Sequence, residues 1–220
     1  MHANYYDFEH CMSDDARVAF LHEAYERIFS HTVEGTYRNI NRVLKFLRQS
    51  DFYSIPCRHH AFVGGNAWHQ LETMCHAFIK PELSANSPLI ENYCQLLPLW
   101  KDADTFGKAI VCMLHDIGNV QNVQFPPRIM KRHGRRSTYV LIDHLKFELM
   151  FDENMAIIYH QQHSEEELRY ATPDEEAYDR ISQFGLYQMV QICDTISAEA
   201  PLTEQLLKMR LESLYQLLGC

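Results

Sequence analysis

The alternation of apolar and polar positions along the chain predicts helices almost from end to end. From Ser13 onward, Asp14 and Asp15 occupy a first turn, and Val18, Leu21, Tyr25, Ile28 and Phe29 follow at spacings of three and four. A second helix is predicted over about 33–48, with Tyr37, Ile40, Val43, Leu44 and Leu47 on its inner face. These two read as the outer pair of a bundle. Residues 50–65 contain Pro56 and the Gly64-Gly65 pair, which predicts an irregular lead-in to a third helix from near Asn66 to Lys80-Pro81. After a turn over 81–87, Pro88 opens a short helix that Pro98 is expected to interrupt. The next helix begins around Asp104, carries the apolar run Ile110 to Leu114, and is expected to end at Gly118.

The pattern then breaks. Residues 121–137, with Pro126-Pro127, read as the longest irregular segment. Helices are predicted again over 138–151 and 153–163, followed by an acidic, solvated rim over 164–179. The last helices are predicted over 178–184, 186–198 and 202–218, the final one after Pro201. No segment alternates as a strand would. The expected fold is all-α, a single helical bundle of eight or nine helices in one domain over 1–220, with 1–50 as a helical extension and about 55–200 as the core.

Composition supports that picture and narrows the function. Eight glycines and eight prolines are too few for a loop-rich β protein, and 46% hydrophobic residues supply a core. No run of 18 apolar residues exists and the start, Met1 to His10, lacks the regions of a signal peptide, so a soluble cytoplasmic protein with no membrane partner is expected. Seven scattered cysteines without Cys-x-x-Cys spacing argue against a zinc finger. A net charge of -9 argues against binding extended nucleic acid.

The 13 histidines change the picture. The apolar helix delivers His115 and Asp116 side by side at its end, although chance alone supplies roughly 0.7 such pairs in a chain of this composition. Further candidates lie on predicted helices beside apolar stripes: His69, His76, His144, His160, His163 and Asp194. Asp194 stands within Val190-Gln-Ile-Cys-Asp-Thr-Ile-Ser197, where a carboxylate is costly unless a cation compensates it. The same holds for Asp116, and His160 follows the apolar Ala156-Ile-Ile-Tyr159. Imidazoles and carboxylates without cysteine suit one or two divalent ions of Mn, Fe, Co, Ni or Zn. Within 128–136, Arg128, Lys131, Arg132, Arg135 and Arg136 form either a solvated loop or a lid that recruits phosphate.

In order and context, His69, His115-Asp116 and Asp194 resemble the HD superfamily of metal-dependent phosphohydrolases, and His115-Asp116-Ile117-Gly118 is similar to its central motif. The stretch Arg58-His59-His60-Ala61-Phe62-Val63-Gly64-Gly65-Asn66-Ala67-Trp68-His69 resembles the HD domains of certain 3′-5′ exoribonucleases and conjugative relaxases. The resemblance implies an all-α core with His69, His115, Asp116 and Asp194 as metal ligands, and His144 and His160 as the additional pair of two-metal members. Asn119 stands where many members have a lysine, and His160-Gln161-Gln162-His163 where many have adjacent histidines.

The implied activity is hydrolysis of a phosphomonoester or phosphodiester, a small phosphorylated substrate such as a nucleotide, by a metal-activated water. Asp116 would bridge ions and orient the nucleophile. His59, His60 or His163 would supply a proton, with His60 assigned here as the catalytic donor, and Arg58, His59 and His163 would contact substrate. Two other readings share these residues: a mixed-valent di-iron oxygenase of the HD type, and a non-catalytic module stabilised by metal.

Overall fold

The computed structural model describes residues 12–32, 39–83, 87–101, 104–130, 133–161 and 185–220. The described residues form nine α-helices, a 3-10 turn and a π-helical turn, with no strand among them. None of these helices is long and apolar enough to cross a membrane. The expectations over 33–38, 164–179 and 178–184 lie outside the described residues.

Helix α1 (Asp14–Thr32) presents Leu21, Tyr25, Ile28 and Phe29 to the interior, all fully buried, as its three-and-four spacing requires. It packs against α2 (Ile40–Gln49), whose Ile40, Val43, Leu44 and Leu47 form the matching stripe. Helix α3 (Gly65–Phe78) is the centre of the molecule: Gly65 through Ala77 are all buried, including Asn66, His69, Gln70, Glu72, Thr73 and His76. So many enclosed polar groups need partners from neighbouring helices, and that demand fixes how those neighbours sit. The Tyr25 hydroxyl lies 3.3 Å from both the Ala67 and Met113 carbonyls, which ties α1 to α3 and to the end of α5.

Helix α4 (Pro88–Lys101) continues through Pro98 rather than stopping there. Pro98 and Cys94 are both exposed, so water can serve the carbonyl that proline leaves unpaired. Tyr93 and Trp100, buried and edge-on at 5.0 Å, hold the two halves of the helix to the core. Helix α5 (Thr105–Leu114) starts on Asp104, whose carboxylate accepts from Gly107 N at 3.0 Å. Replacing Asp104 with alanine is expected to lower stability by about 0.5–2 kcal/mol, read from urea unfolding; an unchanged midpoint would show that the cap contributes nothing.

The chain leaves α5 at Leu114, four residues before Gly118. His115 and Asp116 form a turn, and a 3-10 turn covers Ile117–Asn119. Gly118 acts by close approach instead of ending the helix: a Cβ there would lie 2.4 Å from Ser137 N. Its N–H donates to Ser137 Oγ at 3.0 Å.

Residues 133–137, expected to be irregular, form with Thr138 the helix α6 (His133–Thr138), which runs directly into the π-helical turn Tyr139–His144. Helix α7 (Phe151–Tyr159) follows an extended link and starts where Glu153 accepts from Met150 N at 2.8 Å. Predicted helix 138–151 is therefore shorter than its apolar pattern, because Lys146 turns the chain with φ 53. Helices α8 (Gly185–Glu199) and α9 (Glu204–Leu218) close the fold; α8 packs against α3, α4, α5 and α7, and α9 against α1 and α3.

Candidate metal centre

Four helices deliver side chains to one place. Helix α3 brings His69, the turn after α5 brings His115 and Asp116, the last turn of α7 brings His160, and α8 brings Asp194. His69 Nε2 lies 2.6 Å from Asp194 Oδ1, and His115 Nε2 lies 3.4 Å from the same oxygen. His115 Nε2 is also 3.8 Å from Asp116 Oδ1, and His160 Nε2 is 3.2 Å from it. Two overlapping groups result that can hold a metal ion: His69, His115 and Asp194; and His115, Asp116 and His160.

The tautomers follow from the hydrogen bonds on the other ring nitrogens. His115 Nδ1 donates to the Cys112 carbonyl at 2.9 Å, and His160 Nδ1 donates to the Ile157 carbonyl at 2.7 Å. In the neutral ring, an Nδ1 that donates leaves a lone pair on Nε2. The Nε2 atoms of His115 and His160 are buried without a hydrogen-bond partner. Buried lone pairs aimed at carboxylates repel them unless a proton or a cation lies between, so the donor set fits a divalent ion.

Sequence reasoning did not find His133. It is the first residue of α6, and its Nε2 forms a short hydrogen bond with Asp116 Oδ1. Here the tautomer is reversed. Arg136 Nη2 donates to His133 Nδ1 at 3.3 Å, so a neutral ring carries its hydrogen on Nε2, toward Asp116. Arg136 also donates to Asn119 Oδ1 at 3.1 Å. That orients the Asn119 amide to donate to Asn66 Oδ1 at 2.8 Å and to Asp116 Oδ2 at 3.3 Å.

The other expected site residues are placed as follows. His144 lies on the π-helical turn, exposed, with its ring edge-on to Phe46 at 5.5 Å, and belongs to neither group. His60 is buried and turns its Nε2 to Glu72 at 3.0 Å. His59 and Arg58 are exposed and line a cavity of about 770 Å³ whose wall includes His69, Asp116, Asn119, His133 and Asp194. Gln161 lines the same cavity, whereas His163, Lys131 and Arg132 lie outside the described residues. His76 is buried with both ring nitrogens unpartnered, and burial pushes it down to about 4. A third grouping, His60, His69 and Glu72, is closed by its own hydrogen bonds.

Electrostatics reflect the same pairing. Burial opposes the charge on Asp116 and Asp194, but the surrounding histidines outweigh it and hold both carboxyls well below the ordinary range. Burial likewise opposes a charged His115, yet Asp116 and Asp194 lift it to about 9. Below about pH 6.5 the His115 ring is charged in the folded and unfolded chains alike, and its attraction to the carboxylates contributes fully to stability. Between that pH and the raised value of about 9 only the folded chain keeps the proton, so the contribution is progressively lost.

Chelated protein is therefore expected to lose several degrees of melting temperature on going from pH 6.5 to 9, and protein supplied with a divalent cation to lose less. A flat profile in chelator would contradict the charge pairing.

The chain matches no family model, no curated protein and no solved structure.

Proposed function

We propose that this chain is a metal-dependent phosphohydrolase of the HD type, acting on a small phosphorylated substrate. The observation that carries the reading is that His69, Asp116 and Asp194 meet at the wall of a cavity of about 770 Å³, with His115 buried behind them, 3.4 Å from Asp194 Oδ1 and 3.8 Å from Asp116 Oδ1. That volume lies within the roughly 300–1,000 Å³ typical of small-molecule sites.

His69, His115, Asp116 and Asp194 would hold the first ion, and Asp116 with His160 would hold a second. A cation there supplies a water nucleophile at neutral pH and neutralises charge on a phosphoryl oxygen. The chain's own groups do the rest. Arg58 and His59, exposed on the cavity wall, meet the phosphate as it enters. Asn119 keeps Asp116 Oδ2 occupied, so Oδ1 remains the oxygen that faces the histidines. His133, at the cavity edge, donates its Nε2 hydrogen to Asp116 Oδ1 and would hold that carboxylate in place; His60 is committed to Glu72, so the leaving oxygen would take its proton from water in the cavity.

A panel of phosphomonoesters, phosphodiesters and nucleotides, assayed with each divalent transition metal, tests the reading. Release of phosphate or of a nucleotide product that stops on chelation and returns with metal is expected. A metal-loaded protein inert toward every ester, and holding a mixed-valent di-iron pair, would overturn it.

A further inference from the structure

Glu72 lies one turn beyond His69 on α3 and is fully buried. Its carboxylate accepts four hydrogen bonds. Trp68 Nε1 at 3.0 Å and Leu202 N at 2.8 Å donate to Oε1, while Ser197 Oγ at 2.5 Å and His60 Nε2 at 3.0 Å reach Oε2. Burial opposes ionisation of Glu72, but His60 and Ser197 hold it below the usual carboxylate range. An anion so fully supplied with donors is a fixed acceptor.

Ser197 Oγ also stands 2.9 Å from His69 Nδ1. A serine hydroxyl has one hydrogen to give. Because Glu72 is the stronger acceptor, that hydrogen goes to Oε2, and Ser197 has only lone pairs left for His69. His69 Nδ1 must then be the donor, which in the neutral ring leaves Nε2 bare, and the 2.6 Å approach of Nε2 to Asp194 Oδ1 is favourable only with a proton or a cation between them. His115 and His160 reach the same state through backbone carbonyls, whereas His69 has a side-chain relay.

We propose that Glu72 is a positioning residue for the metal centre: acting through Ser197, it locks the His69 ring in the tautomer that presents a bare Nε2 beside Asp194. The proposal rests on the reading of His69 as a ligand. Glu72→Gln separates charge and direction from volume. Trp68 Nε1 and Leu202 N can only donate, so they hold the glutamine oxygen and force its NH₂ toward Ser197. Ser197 then accepts from Gln and its hydrogen is released to His69 Nδ1 at 2.9 Å, a closer acceptor than the His69 carbonyl at 3.3 Å. The ring hydrogen moves to Nε2, where the cation would sit.

The test is cobalt(II) titration of the full chain by absorbance, together with the ¹⁵N ring spectrum of metal-free protein above the pH at which the ring titrates. His69→Asn assigns the signals. The wild type is expected to bind cobalt and to keep the hydrogen on His69 Nδ1. Glu72→Gln is expected to bind about 10–100-fold more weakly and to move the hydrogen to Nε2. Ser197→Ala, which changes little volume, is expected to weaken binding similarly and covers the case in which Glu72→Gln does not fold. Unchanged affinity in a folded variant, with the hydrogen still on Nδ1, would overturn the proposal. Failure of the wild type to take up cobalt would instead overturn the metal reading, and the ring spectrum would still decide the tautomer.

Discussion

Asp116→Asn is expected to reduce metal-dependent phosphate release by about 10²–10³-fold or more, and to weaken metal uptake, while the far-ultraviolet circular dichroism stays that of the wild type. Asp116 Oδ1 is approached by His115, His133 and His160, and Oδ2 by Asn119. An amide of the same shape keeps the packing but removes the negative charge that those rings converge on. The burial cost of a carboxylate at this point is offset only by charged or cationic neighbours, so its replacement removes function before it removes structure. Activity within a few-fold of the wild type at saturating metal would show that Asp116 is no part of the centre.

Gly134→Ala is expected to destabilise the protein and to disturb the site at the same time. A Cβ at Gly134 would lie 2.3 Å from the Ile157 carbonyl oxygen and 2.4 Å from that of Ile158, so backbone must shift on one side or the other. Those carbonyls precede His160, and Ile157 O is the acceptor that fixes the His160 ring. Gly134 itself follows His133. One added methyl therefore pushes apart the two elements that carry His133 and His160. Overpacking of this kind costs about 1–3 kcal/mol, which for a chain of this size lowers the melting temperature by roughly 2–12 °C. The loss of stability should come with weaker binding of any second ion, read by calorimetric titration. A variant that melts with the wild type would mean that α6 and α7 are not in close contact.

What could be read from the sequence follows from where stability resides in each element. Helices α1, α3, α5, α8 and α9 have long apolar stripes, and a period of 3.6 is visible in them without any knowledge of the partners. His69, His115, Asp116, His160 and Asp194 were legible because each stands next to such a stripe, where an isolated polar group is expensive. Helix α6 was not legible: its six residues, His-Gly-Arg-Arg-Ser-Thr, have loop composition. It is helical because Gly134 lets it lie against α7 and Ser137 reaches Gly118, both contacts between residues distant in the chain.

The resemblance to two-metal members implies His144 for the place between the His-Asp pair and His160. In the fold the π-helical turn carries His144 outward onto Phe46, and His133 is the residue beside Asp116. Glu72 carries no signal in the sequence for a related reason. A glutamate on an amphipathic helix is ordinarily solvated, and only the arrival of Ser197 and Leu202 from α8 and the α8–α9 link encloses it. The carbonyls of Cys112 and Ile157, which set two of the tautomers, carry no signal in the side-chain pattern at all.

Whether His69, His115, Asp116 and Asp194 hold a divalent transition metal is tested most directly by anomalous scattering from crystals grown without added chelator. The account predicts an anomalous peak enclosed by these four side chains, within ligand reach of His69 Nε2, His115 Nε2 and both carboxylates. A fully occupied crystal structure with no anomalous density there, after soaking in manganese, cobalt or zinc, and with His69 Nε2 hydrogen-bonded directly to Asp194, would contradict it.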